Sequence, residues 1–195
     1  MPMVMQPSFR LFAGRRTFLT GSGGAVLSAT AIALLTGSEA LAAGEKKSNT
    51  TSDATILNTA LGAEYEAIAA YQVGAESGLL QRPVQDLAVQ FQGQHKAHAD
   101  LLAQTVKKLG GKPVEAKKAA DYKFPTDKLK TQEDVLRFAA GLEQGAVSAY
   151  LGAVPLFQHR DLSKAAASIL GDEAMHWAIL LQALGENPVP VAFVA

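Results

Sequence analysis

The chain has no cysteine among its 195 residues. That excludes disulfides, thiolate nucleophiles and any zinc or iron–sulfur site built on sulfur. It has no excess of charge: 18 basic and 18 acidic residues leave a formal net charge of +0, with no basic face to suit nucleic acid. Long hydrophobic runs are missing too. The apolar stretch from about Thr20 to Leu35 is short and broken by Gly21, Gly23 and Gly24, which suits neither a bilayer span nor an anchor. There is no His-Glu-x-x-His, no Gly-x-Ser-x-Gly and no glycine loop of the phosphate-cradling kind, so hydrolase and nucleotide readings lack their motifs. Any metal here must be held by Glu, Asp and His.

The N-terminal segment is an address rather than part of a fold. Gly14-Arg15-Arg16-Thr17-Phe18-Leu19 carries a twin arginine followed by Phe-Leu, then the weakly apolar stretch, then Ala40-Leu41-Ala42, a small-x-small cleavage site. This resembles a bacterial twin-arginine (Tat) export signal over residues 1–42, implying an exported or periplasmic protein without a stable membrane span after cleavage. Residues 43–52 read as a polar linker, 53–185 as the folded domain and 186–195 as an extended tail.

What is present is helical periodicity. The first stripe is Leu57, Leu61, Glu64, Ile68, Tyr71 and Ala75, in steps of three and four, starting from an N-cap at Ser52 or Asp53 and closing near Gly78. The second opens at Pro83 and carries Leu87, Phe91, His95, His98, Leu102, Thr105 and Leu109 before Gly110-Gly111. Thr131 and Asp134 make a capping box for the third, with Val135, Ala139, Leu142, Glu143, Ala146, Tyr150 and Ala153 inward and Pro155 as its end. The fourth starts at Asp161 or Ser163, carries Leu162, Ala166, Ile169, Glu173, His176, Leu180 and Leu184, and stops at Gly185. Short connections make helices one and two, and three and four, antiparallel neighbours. The lysine-rich stretch 112–130 reads as a solvated loop long enough to return along the bundle. The expected architecture is an all-α four-helix bundle with one long crossover between helices two and three. Phe193 is expected to pin the tail to it.

Acids and imidazoles inside apolar stripes are costly unless something pairs with them. Glu173 and His176, three apart, share one helix face. An internal repeat supplies partners. Glu64-Tyr-Glu-Ala-Ile-Ala-Ala-Tyr71 matches Glu143-Gln-Gly-Ala-Val-Ser-Ala-Tyr150, and Gly93-Gln-His95-Lys-Ala-His98 matches Gly171-Asp-Glu173-Ala-Met-His176. A repeat at nearly one offset in both helix pairs predicts a pseudo-two-fold axis that gathers Glu64, His95, His98, Glu143, Glu173 and His176 at the bundle's middle. Tyr71 and Tyr150 read as core tyrosines whose hydroxyls find a polar partner. Trp177 reads as rim packing, Glu66 as solvent-facing, His159 as a surface histidine, and Asp100 and Asp172 as solvent-facing or local pairing partners.

With these residues in place the chain resembles the ferritin-like superfamily, and among its members the exported bacterial ferritin-like proteins that include desiccation-related proteins. The resemblance implies a di-iron or di-manganese centre held by one Glu from each of two helices and a Glu-x-x-His from each of the other two. Glu64, Glu143, Glu173, His176 and His98 match that pattern. His95 stands where the sixth position should be glutamate, so three carboxylates and three imidazoles would face the metal and one carboxylate bridge is lost. That favours weaker binding of a second metal, a single ion, or a different one such as zinc. The intact half-site beside Glu143, Glu173 and His176 is the expected tighter one. Two functions stay open: an exported metal-binding protein handling iron or oxidants, and a non-catalytic stress-related or interaction protein with a degenerate site. Neither reading bears on the oligomeric state.

Overall fold

The structure, a computed structural model, describes residues 49–194. The expected export signal, its cleavage site and most of the linker lie outside these residues. Four helices carry the fold: α1 (Asn49–Glu76), α2 (Arg82–Lys108), α3 (Gln132–Ala153) and α4 (Arg160–Ala183). No strand occurs among the described residues. The all-α four-helix bundle is therefore as expected, except that α1 reaches back to Asn49, before the expected Ser52 or Asp53 cap.

The termini follow from local chemistry. Pro83 sits in the first turn of α2, where its missing N–H costs nothing. At α3 the Asp134 amide donates to Thr131 Oγ1 at 3.2 Å while the Thr131 amide donates to Asp134 Oδ2 at 2.8 Å, which closes the capping box. Gly110 and Gly185 end α2 and α4 with φ of 78° and 74°, a backbone that side chains bearing a Cβ resist. The amides of Gly111 and Glu186 then reach back to the carbonyls of Val106 and Leu181, each at 2.9 Å.

α1 pairs with α2 and α3 with α4, while α1 also packs on α3 and α2 on α4. The crossover runs the length of the bundle. It begins beside Asn58, whose side chain donates to the Lys112 carbonyl at 2.8 Å and accepts from the Val114 amide at 2.9 Å. It ends with Thr126 and Leu129 against Val73, Ser77 and Leu79 at the other end of α1. Its lysines are largely exposed, but the segment is anchored: Tyr122 stacks on Phe124, and Phe124 meets Phe138 of α3 edge-on.

Two apolar layers fill the interior. One contains Leu57, Leu61, Leu102, Val106, Tyr150 and Ile169; the other contains Tyr71, Phe91, Leu136 and Leu180, with Trp177 packed at its rim. α1 buries more than one stripe, because Ile56 also packs against Ala149 and Ala153 of α3. Between the layers lies the polar level described below.

Two expectations need correction and a third needs completing. Phe193 is 88% exposed and does not pin the tail; Pro190 and Val191, not Phe193, border the bundle beside Trp177 and Leu181. Glu66 is half-buried rather than solvent-facing. His159 lies at the surface as expected, its side chain 50% exposed, but it is no bystander. Its Nδ1 and the Gln158 amide both meet Asp53, at 2.5 and 3.0 Å, and Asp53 is wholly buried. Asp53 therefore works inside α1, tying it to the turn between α3 and α4.

Candidate metal centre

Helical spacing brings all six sequence-selected residues to one level. Glu64, His95, Glu143, Glu173 and His176 are buried, at 3% exposure or less. The His98 side chain is 14% exposed. Each helix contributes from near its middle: Glu64 from α1, His95 and His98 from α2, Glu143 from α3, Glu173 and His176 from α4.

The contacts divide into two similar sets. In the first, His98 Nδ1 lies 3.1 Å from Glu173 Oε1 and 3.6 Å from Glu64 Oε2. In the second, His176 Nδ1 lies 3.4 Å from Glu173 Oε2 and 3.5 Å from Glu143 Oε1. Each set thus holds one single glutamate, one histidine Nδ1 and one oxygen of Glu173. Glu173 is the carboxylate that spans both.

His95 occupies the middle differently. Its Nδ1 lies 2.8 Å from Glu64 Oε2 and its Nε2 3.3 Å from Glu143 Oε1. One flat ring thereby links the single glutamates of the two halves. It can serve both carboxylates as a donor only when both nitrogens carry protons.

The tyrosines complete the pseudo-two-fold, and they do so crosswise. The Tyr150 hydroxyl of α3 donates to Glu64 Oε1 of α1 at 2.5 Å, and the Tyr71 hydroxyl of α1 donates to Glu143 Oε1 of α3. Both are buried, and each comes from a different apolar layer. Burial first, then the facing carboxylate, holds both phenols well above their ordinary pKa, so they remain donors.

Two further residues belong to the centre. Gln94 Oε1 accepts from His176 Nε2–H at 2.8 Å, and Asp172 Oδ2 lies 3.2 Å from His98 Nε2 and 3.5 Å from His176 Nε2. Gln94 escaped the sequence reading entirely. The repeat held the signal, because Gln94 and Asp172 occupy equivalent positions just before His95 and Glu173. Phe91 stacks on His176 with ring centroids 4.0 Å apart, giving that imidazole an apolar wall.

The electrostatics follow from burying three carboxylates with three imidazoles. Burial alone would lower the histidine pKa values, but the facing carboxylates outweigh it. Glu143 and Glu64 hold His95 well above its ordinary value. Glu173 and Glu64 raise His98 to about 9, and Glu143 and Glu173 raise His176 to about 9. In return, and against the upward push of burial, His95 and His98 lower Glu64 while His176 and His95 bring Glu143 well below the carboxylate range. Glu173 goes the other way, up to about 7, because its burial and the nearby Glu143 outweigh His176 and His98.

The donor set can be tested for a metal on the atoms themselves. Among the described residues, the buried side-chain atoms without a hydrogen-bond partner are His98 Nδ1, His176 Nδ1, Glu143 Oε2 and both oxygens of Glu173. Buried polar atoms are normally satisfied, so a group of them at one level calls for an explanation. Around His98 Nδ1, His176 Nδ1 and the two Glu173 oxygens, the facing nitrogens and carboxylate oxygens stand 3.1–3.6 Å apart without forming hydrogen bonds. Donors around an ion at about 2.1 Å are themselves about 3.0–3.4 Å apart. Nitrogen and carboxylate oxygen suit iron, manganese or zinc. The residues fit.

The comparisons agree with the geometry. The profile of the ferritin-like domain family matches residues 52–186, which includes every residue of the centre. The chain belongs to the ferritin-like domain family. The crystal structure of a conserved hypothetical protein from Mycobacterium tuberculosis superposes with a TM-score of 0.64, at 24% identity, covering 75% of this chain and 99% of that one. At that identity the likeness speaks for the fold. No curated protein matches the chain. Among the described residues, the clusters able to hold an ion are Glu64, His95, His98 and Glu173, and His95, Glu143, Glu173 and His176.

Proposed function

We propose that this is an exported ferritin-like protein that binds one or two iron or manganese ions between its four helices and acts in iron or oxidative-stress handling. The observation that carries the reading is the division of unpartnered buried donors into two sets that share Glu173. Glu64, His98 and one Glu173 oxygen would hold one ion; Glu143, His176 and the other Glu173 oxygen would hold a second. Bound iron or manganese would supply one-electron redox chemistry toward an oxidant of the peroxide type. The chain's own part is to orient the donors, to keep Glu64 and Glu143 ionised through Tyr150, Tyr71 and His95, and to shut out bulk water with apolar layers on both sides. Export rests on the twin-arginine segment and the Ala40-Leu41-Ala42 site. Likeness to desiccation-related proteins is part of the same reading. Among the described residues no helix is long and apolar enough to cross a membrane.

The test is the metal content of the mature protein, prepared from the periplasm and from cytoplasmic expression. Stoichiometric iron or manganese that disappears in Glu173→Ala/His176→Ala supports the reading. Substoichiometric metal in both preparations, unchanged in that variant, contradicts it.

One observation favours the alternative of a scaffold with a degenerate centre. His95 hydrogen-bonds to both Glu64 and Glu143, so three imidazolium and three carboxylate groups can balance without any ion. In that case site variants lose stability but keep the phenotype.

A further inference from the structure

The two halves of the centre differ outside the ligand atoms. A histidine that binds metal through one nitrogen is tuned by whatever accepts the hydrogen on the other; a carboxylate there makes the ring a stronger donor than a neutral amide does. Here the support is crossed between α2 and α4. His98 has the Asp172 carboxylate at 3.2 Å, while His176 donates to the Gln94 amide oxygen at 2.8 Å. Asp172 also reaches His176 Nε2, but only at 3.5 Å and in competition with Gln94. Access differs in the same sense. The His98 and Asp172 side chains are 14% and 19% exposed, whereas that of His176 is 2% exposed beneath Phe91.

We propose that Asp172 and Gln94 make the two metal subsites unequal, so that the Glu64–His98–Glu173 subsite fills first and the Glu143–His176–Glu173 subsite second. This reverses the order expected from the intact Glu-x-x-His motif. It rests on the metal-binding reading above. Asp172 is a positioning residue here: it acts on the ion through the His98 ring.

The experiment is an anaerobic Mn(II) titration of the full protein at fixed pH. The free-ion paramagnetic resonance signal gives each binding step, and circular dichroism checks folding. Wild type should show a tight and a weak step. Asp172→Asn keeps an acceptor but removes the charge, and should weaken the tight step about 10–100-fold. Gln94→Glu should tighten the weak step by a similar factor. Glu64→Gln should abolish the tight step, and Glu143→Gln should spare it. Two equal steps in wild type, an unchanged tight step in Asp172→Asn, or loss of the tight step in Glu143→Gln would each overturn the filling order alone. No Mn(II) bound by wild type would overturn both the order and the metal reading.

Discussion

Raising the pH should tighten metal binding, by an amount that follows from the histidines. Each subsite takes one ring through Nδ1, and that nitrogen must be free of its proton before it can bind an ion. His98 and His176 are both held protonated up to about 9 by the carboxylates around them. At pH 7 such a ring is neutral about one time in a hundred, so each ion pays a factor of about 100 relative to a fully neutral ring. Affinity should therefore rise about tenfold per pH unit over this range. Glu173, with its pKa near 7, adds a further dependence below neutrality, since a proton on the shared carboxylate competes with both ions. His95 adds no proton to this count where its two nitrogens keep facing Glu64 and Glu143. The assay is anaerobic calorimetric titration with Mn(II) at pH 6 and pH 8, each in two buffers of different protonation enthalpy. The expected outcome is at least about a 100-fold tightening over those two units, with about one proton released per ion at pH 8 and more at pH 6. An affinity that moves less than about threefold, with no proton release, would refute the assignment of His98 and His176 as ligands.

The metal-free protein should show the opposite trend. A raised histidine pKa stabilises fully below about 6.5 and is lost as pH climbs through about 9, so Tm should fall by at least about 3 °C between pH 6.5 and 9. Saturating Mn(II) should cancel that fall. His95→Ala removes the cation between Glu64 and Glu143 and should cost about 3–5 kcal/mol in chemical denaturation without metal, with part of the loss recovered when Mn(II) is added. Tyr71→Phe and Tyr150→Phe should each cost about 1.5–3 kcal/mol, and similar amounts, because the two hydroxyls hold equivalent buried carboxylates. Asp53→Ala leaves the Gln158 amide and His159 without their acceptor and should cost about 2 kcal/mol with no effect on metal affinity.

Much of the centre is legible in the sequence, because helical period and internal repeat are both one-dimensional signals. Steps of three and four place Glu64, Glu143, Glu173 and His176 on buried faces, and the near-constant offset between halves puts them at one level. What the spacing cannot carry is which atom meets which across the axis. The crossed pairs Tyr71–Glu143 and Tyr150–Glu64 depend on side-chain reach between α1 and α3. Gln94 lies outside the apolar stripe, and it matters only because α4 presents His176 Nε2 to it. His95 reads from the sequence as a carboxylate gone missing, whereas its ring joins two carboxylates that would otherwise repel. Asp53 had the composition of an N-cap, and only the fold brings the Gln158–His159 turn, more than a hundred residues on, against it. Hydrophobicity alone suggests that Phe193 pins the tail to the bundle, but it does not say whether a surface is within reach.

The central claim is that Glu173 belongs to both subsites while Glu64 and Glu143 each belong to one. The direct measurement is the number of Mn(II) ions bound per chain, by elemental analysis after equilibrium dialysis at pH 8. The comparison is among wild type, Glu64→Gln, Glu143→Gln and Glu173→Gln, each shown to be helical by circular dichroism. The account predicts two ions in wild type, one in each of the first two variants and none held tightly in Glu173→Gln. Wild-type stoichiometry retained in Glu173→Gln would contradict it.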